Sequence, residues 1–300
     1  MPDPLAHPGA VTGAGGAPPA AGRTRAGDAA LVDALLAIGR WEAPHASAAV
    51  AGPDGTTATA GDPDRAFRLA SVTKLLTAYA CLVAIEEGTL DLDGPAGPEG
   101  ATVRHLLAHA AGYGFDTGPM GAPGRRRTYS NTGFEALARH LAVAAGMEAA
   151  DYVIAAVVEP LGLRSTDLRD GSLAHGAWST AADLGRLATE LLRPTLVHAD
   201  TLAEATTVQF PGLAGPLPGV GPQDPNDWGL GFELRDHKAP HWTGSGNSPA
   251  TFGHFGASGT FLWVDPAIDV GLAVLTDRDF GPWALVAWPP LADAVVDAHR

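Results

Sequence analysis

Ser71 and Lys74 are the residues whose types and spacing most directly suggest chemistry. Lys74 is one of two lysines among 300 residues, the other being Lys238, and it lies three residues after Ser71 in the apolar stretch FRLASVTKLLTAY. Residues three apart share one face of a helix, so the amine can reach the hydroxyl. Burial would disfavour the charged lysine, and a helix N-terminus would favour negative charge on the serine oxygen. The spacing predicts an activated serine, although Ser71 could instead be a plain helix N-cap.

Two further polar motifs lie far along the chain. In TYSNTG, Tyr129 and Asn131 are two residues apart, and in an extended turn their side chains point to the same side. The alternative for this motif is a helix start that is capped by Ser130 or Asn131. In FGHFGASGTFLWVD, a strand would place His254 on one face, and Gly256 would let the backbone approach a ligand closely.

The elements expected to hold these motifs run from strands to helices and back to strands. A helix near residues 28–39 and a hairpin around a Pro-Asp-Gly turn precede a helix from Ser71 to about Glu87. After the helix-rich middle come several strands and an apolar C-terminal helix, which Pro289 and Pro290 should kink or restart. The predicted organisation is a disordered tail over 1–26, a sheet-containing domain over 27–88 plus 206–300, and an all-helical insertion over 89–205.

Composition narrows the class of partner. Acidic residues outnumber basic ones by 33 to 19, which gives a formal charge of −14 and argues against nucleic acid or an anionic membrane surface. The single cysteine, Cys81, lies in an apolar run and is typical of a core residue. The N-terminus lacks a basic and then apolar signal pattern, so we expect a cytoplasmic protein with a small-molecule substrate. The sequence leaves the oligomeric state open.

The motifs SVTK, YSN and HFG, in that order, resemble those of the penicillin-recognising serine hydrolases. That group contains class C β-lactamases, D-alanyl-D-alanine carboxypeptidases, D-aminopeptidases and related esterases. Segments such as HLLAHAAGYG and WGLGFEL extend the similarity to about residues 28–299. The resemblance implies an α/β (α+β) fold with an antiparallel five-stranded sheet, flanking N- and C-terminal helices, an all-α insertion, and an active site between the two parts.

The resemblance also implies a role for each motif residue. Ser71 would be the nucleophile, Lys74 its activating partner and Tyr129 the proton shuttle to the leaving group, a role that requires the Lys74 charge to lower the tyrosine pKa. Asn131 would hydrogen-bond the substrate and the lysine. The remaining positions are the substrate-binding residues His254 and Gly256 and the backbone N–H groups of Ser71 and Ala257, which would form an oxyanion hole. No cofactor and no metal are expected.

His254 departs from the pattern of family members that turn over β-lactams, which commonly carry lysine there. Histidine is charged only in part near neutrality, so it should hold a substrate carboxylate less firmly. The expected function is therefore cleavage of an ester or amide through an acyl-enzyme, with at most weak β-lactamase activity. The alternatives are an acyltransferase or cyclase that uses the same acyl-enzyme, and a binding or sensor protein without turnover.

Three other features of the sequence allow more than one interpretation. His105 and His109 have the spacing of a zinc-protease helix but lack its glutamate, which favours a core or capping role. The arginines at 125–127 suit a solvated turn, or one of them lines the site. Trp228 and the loop over 211–227 would form the rim of the pocket if they fold towards Ser71.

Overall fold

The computed structural model of the protein describes residues 26–168 and 171–300, so the predicted tail lies almost wholly outside the described residues. The strands are β1 Ala46–Gly52, β2 Gly55–Ala60, β3 Phe67–Arg68, β4 Trp178–Ser179, β5 Gly215–Leu217, β6 Gly221–Gln223, β7 Glu233–Leu234, β8 Phe252–Gly256, β9 Thr260–Asp265 and β10 Val270–Thr276. The α-helices are α1 Ala26–Leu35, α2 Thr73–Glu86, α3 Val103–Leu107, α4 Asn131–Ala145, α5 Ala149–Val153, α6 Ala181–Leu192, α7 Ala199–Ala205 and α8 Pro282–His299.

A fully antiparallel sheet forms the centre of the described chain, with the strand order β2-β1-β10-β9-β8-β7. It has six strands rather than the five that were predicted. The additional strand, β7, contributes only Glu233 and Leu234 at the sheet edge, where they pair with Gly253 and Phe252. Gly231 adopts a φ of 85°, which interrupts the extended run just before β7. The mixed α/β fold itself is as predicted.

The two faces of the sheet bury different sets of helices, because side chains alternate along a strand. In β1, Ala49 and Ala51 join the larger apolar cluster, which includes residues of α2, α4 and α6. Ala48 and Val50 join the second cluster, which α1 and α8 cover. The sheet is therefore the middle of three layers, and α2, which follows Ser71, is buried from Thr73 to Ala84.

The middle of the chain is mostly helical. Residues 89–205 contain α3 to α7, and they also contain β4, in which Trp178 and Ser179 pair with Arg68 and Phe67 of β3. The division into a sheet domain and a helical insertion remains a prediction. Thr180 caps α6 by accepting from the backbone N–H of Asp183 at 3.2 Å, as the capping pattern predicts.

The last helix runs without a restart. α8 continues from Pro282 to His299 through Pro289 and Pro290, so of the two predicted outcomes, a kink or a restart, the restart does not occur. Buried Trp288 and Leu291 lie on either side of the prolines and hold the helix against the sheet. Among the described residues, no single helix is both long enough and apolar enough to cross a membrane. α4 and the following segment Ala149–Val158 meet both conditions only when they are taken together, and they are bent by 83° relative to each other.

Arg127 is a buried anchor between loops. Its guanidinium donates to the carbonyl oxygens of Asn226 at 3.0 Å, Gln209 at 2.5 Å and Phe210 at 3.2 Å, and also to that of Ala108. Burial lowers its pKa to about 10, so the side chain remains charged at neutral pH. This one cation satisfies carbonyls from three separate segments and fixes the chain just before the YSN motif.

Arg127→Met is expected to lower the free energy of unfolding by about 3 kcal/mol or more, because four buried or partly buried carbonyls lose their donor. Urea denaturation would measure the loss. Exposed Arg126→Met is the matched control, with an expected change within about 0.5 kcal/mol. Equal, small losses in both variants would contradict the anchoring role.

Candidate active site

Ser71 lies in a short 3₁₀ turn, Ala70–Val72, immediately before α2. Ala70 has a φ of 46°, a left-handed conformation that costs a non-glycine residue roughly 1–2 kcal/mol. The N-cap position of α2 is Val72, and it has no side-chain capping bond. The N-cap interpretation of Ser71 is therefore wrong, and its side chain lines a cavity instead.

The segment that leads into Ser71 is fixed by strand β8 and its neighbours. The backbone N–H of Leu69 donates to Ala177 at 2.8 Å, and the Thr260 hydroxyl donates to the Leu69 carbonyl at 2.8 Å. A Cβ on Gly256 would lie 2.3 Å from that same carbonyl oxygen. The glycine of the HFG motif is thus needed for close approach to the Ser71 segment, where the sequence predicted approach to a ligand.

Lys74 is completely buried one helical turn after Ser71. Its Nζ donates to Asn131 Oδ1 at 2.7 Å and to the carbonyl oxygen of Ala174 at 2.8 Å. It also lies 4.7 Å from the centre of the Tyr129 ring. The predicted contact between Lys74 and Asn131 is present, and the two hydrogen bonds hold the amine in one place.

Burial lowers the pKa of Lys74 to about 7, although Glu135 and Asp116 act to raise it. A substantial fraction of the side chain is therefore a neutral amine near neutral pH. A neutral amine has two N–H donors and one lone pair, and the two acceptors described above use both donors. The lone pair is left free to accept a proton.

The YSN motif serves two purposes. Ser130 caps α4 by accepting from the backbone N–H of Gly133 at 2.9 Å, so the capping interpretation is correct for this residue. Asn131 donates through Nδ2 to Asp116 Oδ1 at 2.9 Å while its Oδ1 accepts from Lys74. Opposite polarities at its two ends therefore fix the orientation of the Asn131 amide.

Tyr129 is held as a neutral phenol. Burial raises its pKa above the ordinary value, and the opposing effect of the Ser71 side chain is smaller. The expectation that this pKa is lowered is wrong, because desolvation of the buried phenol and the charge of Asp116 raise it, and these effects outweigh the lowering by Ser71. Tyr129 can therefore donate a proton, but it is not a resting base.

His254 is also neutral. Burial lowers its pKa to about 3, with Lys74 adding to the effect. Its Nδ1 lies 2.6 Å from the carbonyl oxygen of Phe255, which assigns the proton to Nδ1 and a lone pair to Nε2. Within the described part of the chain, neither His254 Nε2 nor Tyr129 Oη has a hydrogen-bond partner, although both atoms are buried. These two polar atoms are available to a substrate.

A cavity of about 120 Å³ unites most of the predicted site. Its lining comprises Ser71, Phe115, Tyr129, Leu217, Pro218, Gly219, Trp228, Glu233, His254, Phe255, Ala257 and Phe280. Lys74 and Asn131 lie behind the lining and connect to each other by a hydrogen bond, while Gly256 lies against the Ser71 segment. The β5–β6 hairpin and Trp228 do reach the pocket, which answers the question that the sequence left open.

Glu233 is a lining residue that the sequence analysis missed. It accepts from Lys238, from His241 Nε2 at 2.9 Å and from Trp242 Nε1 at 3.0 Å. Burial alone would raise the pKa of Glu233, but His241 and Lys238 lower it to about 2. Its carboxylate is thus already neutralised by the protein. The second lysine of the chain, Lys238, lies five residues after Glu233 and is the feature of the sequence that could have indicated this residue.

The two histidines of HLLAH have structural roles. His105 Nδ1 lies 2.9 Å from the Thr102 hydroxyl at the start of α3. His109 is buried, accepts from the backbone N–H of Ser130 at 3.2 Å and packs 4.6 Å from the Tyr129 ring, measured between ring centres. The core interpretation of this motif is therefore correct, and His109 supports the wall that holds Tyr129.

Solved structures with a similar fold include several hydrolases. Among solved structures, a β-lactamase from Mycobacterium bovis is 55% identical, with a TM-score of 0.87 over 89% of this chain and 99% of that one. EstCE1, a hydrolase with promiscuous acyltransferase activity, is 18% identical with a TM-score of 0.74, over 90% and 99% of the two chains. A D-stereospecific amidohydrolase from a Streptomyces species is 21% identical with a TM-score of 0.67, over 91% and 98%.

The sequence profile of the β-lactamase family matches residues 25–296. The chain therefore belongs to the β-lactamase family and has its serine hydrolase fold. A search of curated proteins finds no match to this sequence. The family resemblance that the three motifs indicated is confirmed.

The lowered pKa of Lys74 predicts a pH-dependent stability. The folded protein releases this proton near pH 7, whereas the unfolded chain keeps it to about 10.5. Between these values the unfolded state binds one more proton, so folding is favoured as pH rises, by about 1.4 kcal/mol per unit. Lys74→Met removes this dependence. The unfolding free energy of the wild type minus that of the variant should climb from about pH 7.5 to about pH 9.5 and be flat below about pH 6.

Urea denaturation of the two proteins across this range would measure that difference. Exposed Arg139→Met is the control, and its difference from the wild type should not change with pH. A Lys74→Met difference that is flat throughout would show that Lys74 stays charged in the folded protein.

Proposed function

We propose that this protein is a serine hydrolase that cleaves an ester or amide through an acyl-enzyme on Ser71. The observation that carries the proposal is the state of Lys74, a buried amine near its pKa whose two N–H groups are already committed to Asn131 and Ala174. Such an amine can accept a proton from a neighbouring hydroxyl without rearrangement.

In the proposed acylation step, Ser71 Oγ attacks the substrate carbonyl carbon and its proton passes to the Lys74 lone pair. Tyr129 then donates its phenolic proton to the oxygen or nitrogen of the leaving group and recovers a proton from Lys74. The bond to the leaving group breaks as the serine ester forms. In deacylation a water oxygen attacks the acyl carbon and one water proton passes to Lys74. The ester bond to Ser71 Oγ then breaks, the acid leaves, and Ser71 Oγ takes up the proton from Lys74.

Charge on the tetrahedral oxygen would be stabilised by the backbone N–H groups of Ser71 and Ala257, which belong to residues on the same cavity wall. Close approach of these two segments depends on Gly256. His254 Nε2 and Tyr129 Oη supply the remaining unpaired polar atoms of the pocket. Asn131 positions the amine and, in this proposal, also contacts the substrate.

The state of His254 favours substrates without a carboxylate beside the scissile bond. A neutral imidazole provides no ionic partner for such a group, and the rest of the lining is largely aromatic and aliphatic. We therefore place esters and amides without a carboxylate beside the scissile bond ahead of β-lactams. The 55% identical neighbour carries the name β-lactamase, which supports weak β-lactam turnover as a secondary activity.

Acyl transfer to an alcohol or amine, including a cyclisation, is the second candidate, because it uses the same acyl-enzyme. The observation that favours it is the apolar lining of the cavity, which suits an organic acceptor better than water. EstCE1, a hydrolase with promiscuous acyltransferase activity, has a similar fold. Product analysis with and without an added alcohol separates the two.

A pure binding or sensor role is less well supported, because Ser71, Lys74 and Tyr129 are all present around one pocket. The cytoplasmic location stays a prediction that cell fractionation would test.

Intact-mass spectrometry after treatment with a fluorophosphonate or a penicillin should show one adduct, and peptide mapping should locate it on Ser71. Ser71→Ala should abolish the adduct, whereas the exposed control Ser165→Ala should keep it. Labelling that survives in Ser71→Ala would move the nucleophile to another residue.

Tyr129→Phe and Lys74→Ala should each lower kcat/KM for a p-nitrophenyl ester by about 10²-fold or more, because each removes a proton-transfer group. Tyr152→Phe, outside the cavity, is the matched control and should stay within about twofold. The kcat/KM of the wild type should rise with pH through an apparent pKa of about 7, since Lys74 must be neutral. Variants with near wild-type rates would place the proton path elsewhere.

A further inference from the structure

The catalytic cavity has no permanent positive charge of its own. His254 is neutral, Lys74 has a pKa of about 7, and Lys238 is paired with Glu233. Arg127 is charged, but its N–H groups donate hydrogen bonds to backbone carbonyls. The described cavity therefore offers an anionic substrate group no full, unpaired positive charge.

Arg125 and Arg126 lie at the adjoining surface, and both are exposed. They border a depression of about 430 Å³ whose other lining residues are Gly112, Phe115, Met120, Gly121, Ala122, Thr128 and Pro216. Phe115 also lines the catalytic cavity, so the depression adjoins its mouth. Between residues 26 and 168 and from 171 to 300, no carboxylate forms a salt bridge with either guanidinium.

The backbone that carries these two arginines is anchored at the next residue. Arg127 is anchored by its buried guanidinium, and its backbone N–H donates to Ala214 at 3.1 Å. Gly215 packs so closely that a Cβ there would lie 1.9 Å from the Arg127 carbonyl oxygen. The strand start at Gly215 and the arginine segment thus form one unit, which presents Arg125 and Arg126 beside the Tyr129 wall.

The two arginines have charge available for an external anion. The formal charge of the whole chain is −14, which repels anions at long range, so attraction here depends on the two guanidinium groups themselves. A second, outer depression shares Arg125 and Arg126 with the first, and Asp224 lines it. Asp224 does not line the inner depression, which Met120 and Thr128 border. Asp116, on the catalytic side, accepts from Asn131. The inner depression therefore combines two guanidinium groups with the Thr128 hydroxyl, a donor set suited to a carboxylate or phosphate.

We propose that Arg125 and Arg126 form an anion subsite, which binds an oxyanion carried by the substrate at a point remote from the bond that Ser71 cleaves. This inference rests on the proposed hydrolase function and names its substrate class: an acyl compound with an apolar body and a distal carboxylate or phosphate. The apolar part occupies the cavity, while the two guanidinium groups bind the oxyanion across Phe115.

The test compares matched anionic and neutral substrates. One pair is the mono-p-nitrophenyl ester of octanedioic acid and its methyl ester, which place a carboxylate on the acyl side. The other pair is the octanoyl ester of 4-hydroxyphenyl phosphate and 4-methoxyphenyl octanoate, which place a phosphate on the leaving group. The readout is the ratio of kcat/KM for the anionic member to that for the neutral member, measured at low and high salt.

The wild type is expected to prefer the anionic member of at least one pair by about fivefold or more at low salt, mainly through KM. The double variant Arg125→Gln/Arg126→Gln should lose this preference. The control Arg139→Gln/Arg164→Gln removes the same charge from exposed positions and should keep it. A ratio near one for both pairs in the wild type, or equal losses in both double variants, would overturn the proposal. The pair that responds identifies carboxylate or phosphate as the ligand group.

Binding separates this proposal from the hydrolase proposal. Calorimetry with Ser71→Ala measures the affinity for octanedioate and for 4-methoxyphenyl phosphate, without turnover. Adding the Arg125→Gln/Arg126→Gln changes should weaken the tighter of the two about fivefold or more, and the Arg139/Arg164 changes should not. If the wild type does not hydrolyse esters but this binding pattern is observed, the catalytic role alone is refuted. Hydrolysis of neutral esters with no such pattern would refute the subsite alone.

Discussion

The buried amine of Lys74 is the group on which the rest of the site depends. A charge without solvent is costly, and here burial moves the lysine to the point where the neutral form competes with the charged one. The protein then uses both N–H groups of the amine for hydrogen bonds, to a side chain from α4 and to a backbone carbonyl before β4. The lone pair, which a surface lysine would not expose at neutral pH, becomes the reactive feature.

Several segments that are distant in the sequence exclude solvent from that amine. α2 places Lys74 in the apolar interior, the start of α4 brings Tyr129 and Asn131, and β8 brings His254. Desolvation acts on all three titratable groups in the same direction, towards their uncharged forms. The result is a pocket in which these three groups are uncharged or only partly charged, while the ionised carboxylate of the lining, Glu233, is paired with Lys238.

Much of this could be predicted from sequence, because the informative residues are rare types in short motifs. The Ser71–Lys74 spacing, the YSN turn and the strands around His254 depend on local periodicity and turn chemistry, which one sequence contains. Features that depend on distant contacts could not be predicted in this way. β7 is only two residues long, Gly256 is required by the carbonyl of Leu69, and the pKa of Tyr129 reflects burial by segments far away in the chain.

The separation of Arg127 from its two neighbours shows the same limit. Three consecutive arginines look equivalent as a sequence, yet one is enclosed by backbone carbonyls and two face solvent. Only the packing of the 209–226 region decides which is which.

Both lysines of the chain, Lys74 and Lys238, are inside the folded protein. Reagents that acylate or cross-link lysine ammonium groups therefore meet none on its surface, and lysine-directed acetylation has no accessible target side chain while the fold is intact. Coupling to a solid support would have to use other groups, such as surface carboxylates. The rate at which an amine-reactive dye enters at these two positions would then report how often the interior opens.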